Sequence, residues 1–168
     1  MHNSAYNCAQ NFYDKYLSNT KKLIVVDFGS YDHNGSLKPI FKNHHYLGLD
    51  IENGPNVDLV VHARKTPFFP DSVDVIVSSS CFEHDQLFWV TFLEMCRMLK
   101  PNGYIYINAP SKGKYHAYPI DCWRFKLDSW KALETWANIN NYNIQLLESY
   151  IDENDPEWHD SVGIFKKL

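Results

Sequence analysis

The feature that most constrains this chain is the run from Leu23 to Gly29. Leu23, Ile24, Val25 and Val26 are consecutive aliphatic residues, followed at once by Asp27, Phe28 and Gly29. A strand with no polar alternation must be covered on both faces, which places it inside a parallel sheet between helical layers. Asp27 and Gly29 then fall where the strand gives way to the next connection. That edge is where open α/β sheets bind ligands, because the loops beyond the carboxyl ends of the strands open into a crevice.

Length and charge narrow the reading further. A chain of 168 residues buries one full core and not two, so residues 1–168 are read as a single domain. Its parts are an N-terminal helix within residues 1–20, a ligand-binding half at 22–110, and a loop and terminal hairpin at 111–168. No apolar run approaches the roughly 20 residues of a membrane span. Residues 1–8 lack the basic region and apolar core of a signal peptide, so a soluble, cytoplasmic protein is expected with no membrane partner. The formal net charge is −4, and Lys and Arg occur in ones and twos, which argues against a nucleic-acid face. Cys8, Cys81, Cys96 and Cys122 form no C-x-x-C pair, so neither a disulfide framework nor a zinc site is expected. Cys81, beside Phe82, reads as a small packed residue. His44 and His45 precede a buried strand and read as a solvated turn, so no metal is expected.

Taken in order, residues 5–20 carry Tyr6, Phe12, Tyr13, Tyr16 and Leu17 at near-helical spacing, predicting a helix that packs on the domain and lids the site. Turn formers fill residues 30–36, after which Leu37, Ile40 and Phe41 predict a helix with Pro39 in its first turn. Residues 46–51 read as a second strand ending in Asp50, and residues 57–61 as a third. Pro67 and Pro70 keep residues 66–72 irregular before a fourth strand at 73–77. Phe88, Phe92, Met95 and Leu99 predict a helix over about 85–99, stopped by Lys100, Pro101, Asn102 and Gly103. A fifth strand follows at 104–108, a helix at about 129–137, and strands at 143–150 and 161–166. The last two are joined without a helical pattern, so they pair as an antiparallel hairpin. The fold class is α/β: a Rossmann-like, seven-stranded, mostly parallel sheet with helices on both faces and an antiparallel terminal strand.

This order of motifs resembles the class I S-adenosylmethionine-dependent methyltransferases, in particular the small type 11 group, closely over residues 22–110. Val26, Asp27, Phe28 and Gly29 look like the opening of that family's cofactor loop. Leu47, Gly48, Leu49 and Asp50 look like the strand whose final acid binds both ribose hydroxyls. The string Met98, Leu99, Lys100, Pro101, Asn102, Gly103 and Tyr104 is the most specific match. The resemblance implies S-adenosylmethionine as cofactor, held by Asp27, Gly29, Ser30, Asp50, Ile51, His62, Ala63, Ser78, Ser79 and Phe82. His62 stands where the family commonly has an acid facing adenine. Tyr31 stands at the family's second glycine, so the loop runs differently, with Asn34 and Gly35 supplying the positive-φ residue later. The residues agree independently: a ribose diol asks for a carboxylate accepting two hydrogen bonds, and Gly29 lets backbone approach a ligand.

Residues 112–125 hold His116 and Asp121 among Tyr115, Tyr118, Trp123 and Arg124. A loop this long in a compact domain is usually functional. His116 is the expected base with Asp121 orienting or replacing it, while His84, Tyr118, Trp123 and Arg124 contact the acceptor. The expected reaction is methyl transfer to an oxygen or nitrogen of a small or sugar-like molecule. Two other readings stand beside it. One is a nucleotide-binding oxidoreductase, disfavoured because Gly29 is the only glycine of a G-x-G-x-x-G fingerprint in place. The other is a degenerate, non-catalytic binding domain.

Overall fold

A computed structural model describes residues 2–168. The elements run α1 (Asn3–Tyr16), β1 (Ile24–Phe28), β2 (His45–Asp50), β3 (Leu59–Val60), β4 (Val73–Ser79), α2 (Phe88–Met98), β5 (Leu99–Pro110), α3 (Leu127–Ile139), β6 (Ile144–Asp152) and β7 (Asp160–Lys167). One sheet holds all seven strands in the order β3-β2-β1-β4-β5-β7-β6. The pairings from β3 through β5 are parallel, and β7 runs antiparallel to both β5 and β6. The order reverses between β1 and β4, which makes their carboxyl ends the topological switch point.

Adjacent residues of the central strands feed two separate cores, as a strand's period of two requires. Val26, Phe28, Ile76, Ile105 and Ile107 face the layer of α2 and α3, where Phe92, Met95, Trp130 and Leu133 close over them. Val25, Val75, Val77 and Tyr106 face the other side, where Cys8, Ala9 and Phe12 of α1 cover them together with Leu37, Ile40 and Phe41. Phe12 stacks on Tyr106 with ring centroids 5.1 Å apart. The buried stripe of α1 is therefore Ala5, Cys8, Ala9 and Phe12. Tyr6, Tyr13 and Tyr16 flank it half-buried.

Several local expectations differ from what forms. Residues 38–43 are consecutive turns, not a helix. Hydrogen bonds there span three residues, from Ile40 N–H to Leu37 O and from Phe41 N–H to Lys38 O, and Pro39 contributes no donor. β3 is only two residues long, because the Asp58 carboxylate takes the Gly48 amide at 2.8 Å in place of a ladder partner. The helix expected from Asp85 begins at Phe88, after a single 3-10 turn at Phe82–His84. Asp85 instead holds the start of that helix, accepting from Leu87 N–H (2.9 Å) and from the Thr91 hydroxyl. β5 starts at Leu99, five residues early, with a register shift opposite Val73 to Val75. Asn102, at φ 65°, absorbs the bend. No described helix is long and apolar enough to cross a membrane.

Candidate functional site

A cleft of about 690 Å³ opens over the switch point, within the size range of small-ligand sites. Its floor is the turn after β1. Gly29 has φ 78°, and a Cβ there would lie 2.5 Å from both Cβ and Sγ of Cys81. The glycine is thus required by the loop after β4 as much as by any ligand. Tyr31 lies flat where Gly54 leaves room, since a Cβ on Gly54 would meet its ring at 2.2 Å. The turn then runs on to Gly35, at φ 125°.

One side of the cleft carries Asp27, Gly29, Ser30, Asp50, Ile51, His62, Ala63 and Ser79. Asp50 Oδ2 accepts from Tyr31 N–H and Oδ1 from Glu52 N–H, each at 3.1 Å. Each oxygen keeps a second lone pair for a ligand hydroxyl. Asp27 lies within β1, paired in register with Gly48 and Val77, and is 4 % exposed. Burial pushes its carboxyl up to about 7, against the hydrogen bond it accepts from the Tyr46 hydroxyl. His62 is exposed and accepts Arg64 N–H at Nδ1 (3.3 Å), so Nε2 is left to face a ligand. The Ser79 hydroxyl is buried with no protein partner among the described residues.

The opposite side joins distant segments: His84, His116, Ala117, Tyr118, Pro119 and Ile120, with Trp158 from the β6–β7 loop and His2 from the start of α1. His84 Nδ1 donates to the Ile120 carbonyl at 2.5 Å, so Nε2 carries the lone pair. Burial lowers the His84 pKa and keeps the ring neutral. His116 packs edge-on against His84 at 4.9 Å and, tilted, against Trp158 at 4.5 Å. An arch of Tyr31, His33 and Tyr118, with successive centroids 4.2 and 4.9 Å apart, spans from the β1 turn to this wall. His2 donates to Asp160 at 2.8 Å, and that partner raises its pKa. Only His2, the residue that caps α1, reaches the cleft, so the helix does not lie over it as a lid.

Five expected site residues do not line the cleft. Ser78 is buried and donates to the Phe28 carbonyl at 2.9 Å, facing opposite to Ser79. Phe82 is fully in the core. Asp121 and Arg124 are spent on each other: Nη1 reaches Oδ1 at 2.5 Å and Nη2 reaches Oδ2 at 2.8 Å. The Arg124 guanidinium holds the Asp121 carboxyl well below the usual range. That carboxylate also accepts His116 N–H at 2.8 Å and lies 3.2 Å from His116 Nδ1, so it fixes the residue next to it. Trp123 donates to the Asp85 carbonyl and packs on Phe88 and Trp89.

Glu83 was not among the expected site residues. It lines the cleft, is 1 % exposed, and has Oε2 without a partner among the described residues. Burial pushes its carboxyl up to about 8. Its own carbonyl accepts from both Cys122 N–H (2.7 Å) and Trp123 N–H (3.2 Å), tying the 112–125 loop to the end of β4.

The architecture has close counterparts among solved structures. Over 98 % of its length the chain superposes on 79 % of the 1,6-didemethyltoxoflavin-N1-methyltransferase of Burkholderia thailandensis, solved with S-adenosylhomocysteine, at a TM-score of 0.77 and 14 % identity. The fold is that of the class I methyltransferases. Residues 37–107 match the sequence profile of the Methyltransf_11 family, described as a methyltransferase domain. This methyltransferase fold also covers 99 % of the chain and all of YcgJ from Bacillus subtilis, at a TM-score of 0.70 and 14 % identity. The [4+2]-cyclase SpnF is similar as well, at a TM-score of 0.68 and 9 % identity over 96 % of this chain and 81 % of that one. The methyltransferase fold thus hosts more than one chemistry, and the site has to decide. No curated protein sequence matches the chain.

Proposed function

We propose that the protein transfers a methyl group from S-adenosylmethionine to an oxygen or nitrogen of a small or sugar-like acceptor. The observation that carries this reading is the two-sided cleft at the switch point, with a carboxylate at the end of β2 on one side and two imidazoles on the other. The residues present fit the cofactor. Asp50 has lone pairs for a ribose diol, Ile51 and Ala63 offer apolar contact beside His62 for a purine, and Ser79 has a buried hydroxyl in want of a partner. Asp27 and the Gly29 turn would hold the aminoacyl end.

When bound, the cofactor supplies an electrophilic sulfonium methyl, so the protein's main task is in-line placement. Orientation alone is worth roughly 7–11 kcal/mol of barrier. Tyr31, His33 and Tyr118 close over the acceptor and exclude water. For an oxygen acceptor His116 takes the proton, with Asp121 holding its main-chain N–H. His84, neutral with Nε2 free, stands beside it.

Titration calorimetry with S-adenosylmethionine, S-adenosylhomocysteine and NAD tests the assignment. The sulfonium and its thioether product should both bind at 1:1 and NAD should not. Binding of NAD alone would move the protein to oxidoreductase chemistry, and failure of all three would make it a fold retained for another purpose.

A further inference from the structure

We infer that Glu83, His84 and His116 form a binding site for a divalent transition-metal ion in the acceptor wall of the cleft. One nitrogen of each ring and a carboxylate oxygen of Glu83 lie within 4.8 Å of one another. Glu83 Oε1 stands 3.6 Å from His84 Nε2, close to the roughly 3.3 Å edge of a tetrahedron built on bonds of about 2.0 Å. Two imidazoles and a carboxylate suit zinc and its first-row neighbours rather than magnesium, which prefers oxygen throughout.

The surroundings carry the inference beyond proximity. Metal-binding histidines are oriented by a hydrogen bond from the ring nitrogen that does not touch the metal, to a carbonyl or a carboxylate. His84 has that partner in place, its Nδ1 held by the Ile120 carbonyl at 2.5 Å, and His116 Nδ1 lies 3.2 Å from Asp121 Oδ2. That leaves His84 Nε2 for a ligand. Arg124 Nη2 lies 3.4 Å from His116 Nδ1 and can only donate to it, so metal binding at this ring selects the tautomer whose Nδ1–H turns to Asp121. The third group, Glu83, is a carboxyl 1 % exposed whose Oε2 has no partner among the described residues. A buried acid left so is costly unless something compensates it. Three protein ligands leave a fourth position open toward the cleft, the arrangement of metal sites that act on a substrate. Metal binding stands apart from the methyl-transfer reading. Only its use rests on that reading: a bound cation would take over from the free imidazole the ionising of an acceptor hydroxyl.

The test uses tag-free, chelator-treated protein titrated with Zn²⁺ against a chromophoric chelator, with S-adenosylhomocysteine binding measured on the same samples. Zinc should bind at 1:1. His84→Gln and His116→Gln should each weaken it at least 100-fold while retaining a native circular dichroism spectrum, and Cys122→Ser, which removes the exposed thiol, should change it less than twofold. Histidine side-chain NMR on the unaltered protein covers the case of a variant that does not fold: two imidazole sets of the eight histidines should shift on adding Zn²⁺. No stoichiometric zinc binding, no shifted imidazoles, or undiminished binding in folded His84→Gln and His116→Gln proteins would overturn the site. Zinc binding without S-adenosylhomocysteine binding would keep the metal site and discard methyl transfer.

Discussion

Gly29 and Cys81 touch across the switch point so closely that no side chain fits between them: a Cβ on Gly29 would stand 2.5 Å from the Cβ and Sγ of Cys81. Gly29→Ala should therefore lose about 2–5 kcal/mol of stability, roughly 1–2 from the left-handed backbone and 1–3 from overpacking. Urea denaturation measures it. Adding Cys81→Gly should restore the overpacking share, and no coupling between the two substitutions would show that the contact is not what matters.

Asp50→Ala should weaken S-adenosylmethionine at least tenfold. Each hydrogen bond to a carboxylate is worth roughly 1.5–3 kcal/mol before water compensates, and the substitution also frees the amides of Tyr31 and Glu52. Calorimetry giving an affinity within twofold of the native protein would remove Asp50 from the site.

Asp27 predicts a pH dependence. Its carboxyl is raised from 3.8 to about 7 by burial, so between about pH 4 and 7 the unfolded chain releases this proton while the folded one retains it. Stability from this group is full below about pH 4 and is lost as pH rises through about 7, by a few kcal/mol. Thermal melts should show that slope, flattened in Asp27→Asn. Affinity for the cofactor's ammonium should run the opposite way, rising as Asp27 ionises.

Arg124→Ala should loosen residues 112–125 without touching the cofactor side. It removes the two-point pair that fixes Asp121 and, through it, the His116 amide. Limited proteolysis within the loop should accelerate at least tenfold with S-adenosylhomocysteine affinity unchanged. Arg124→Lys should recover little, because an ammonium lacks the planar fork.

Once an acceptor is known, His116→Asn should lower turnover about 10²-fold with cofactor affinity unchanged, the usual contribution of a group that moves or ionises a proton. Equal turnover would take His116 out of the chemistry.

The sheet was readable because aliphatic strands between glycine and proline stops leave few alternatives, and Asp50 could be placed because a strand end is a point on a line. Ser78 shows where that precision fails: a shift of one residue turns a strand side chain to the other face, so Ser79 meets the cleft and Ser78 does not. The 112–125 loop drew notice by composition, yet composition could not say that Asp121 and Arg124 satisfy each other while His116 faces inward. His2 and Trp158 join the site only because β7 runs back beside β5. Glu83 drew no expectation as a site residue because an acid ahead of a helix ordinarily sits in solvent at its first turn. Nothing local shows that a 3-10 turn folds this one under the loop.

That turn gives one residue two ends in different places. The Glu83 side chain meets whatever enters the cleft, while its carbonyl carries the amides of Cys122 and Trp123. A displacement of the residue at the cleft is therefore transmitted to both hydrogen bonds that hold the segment.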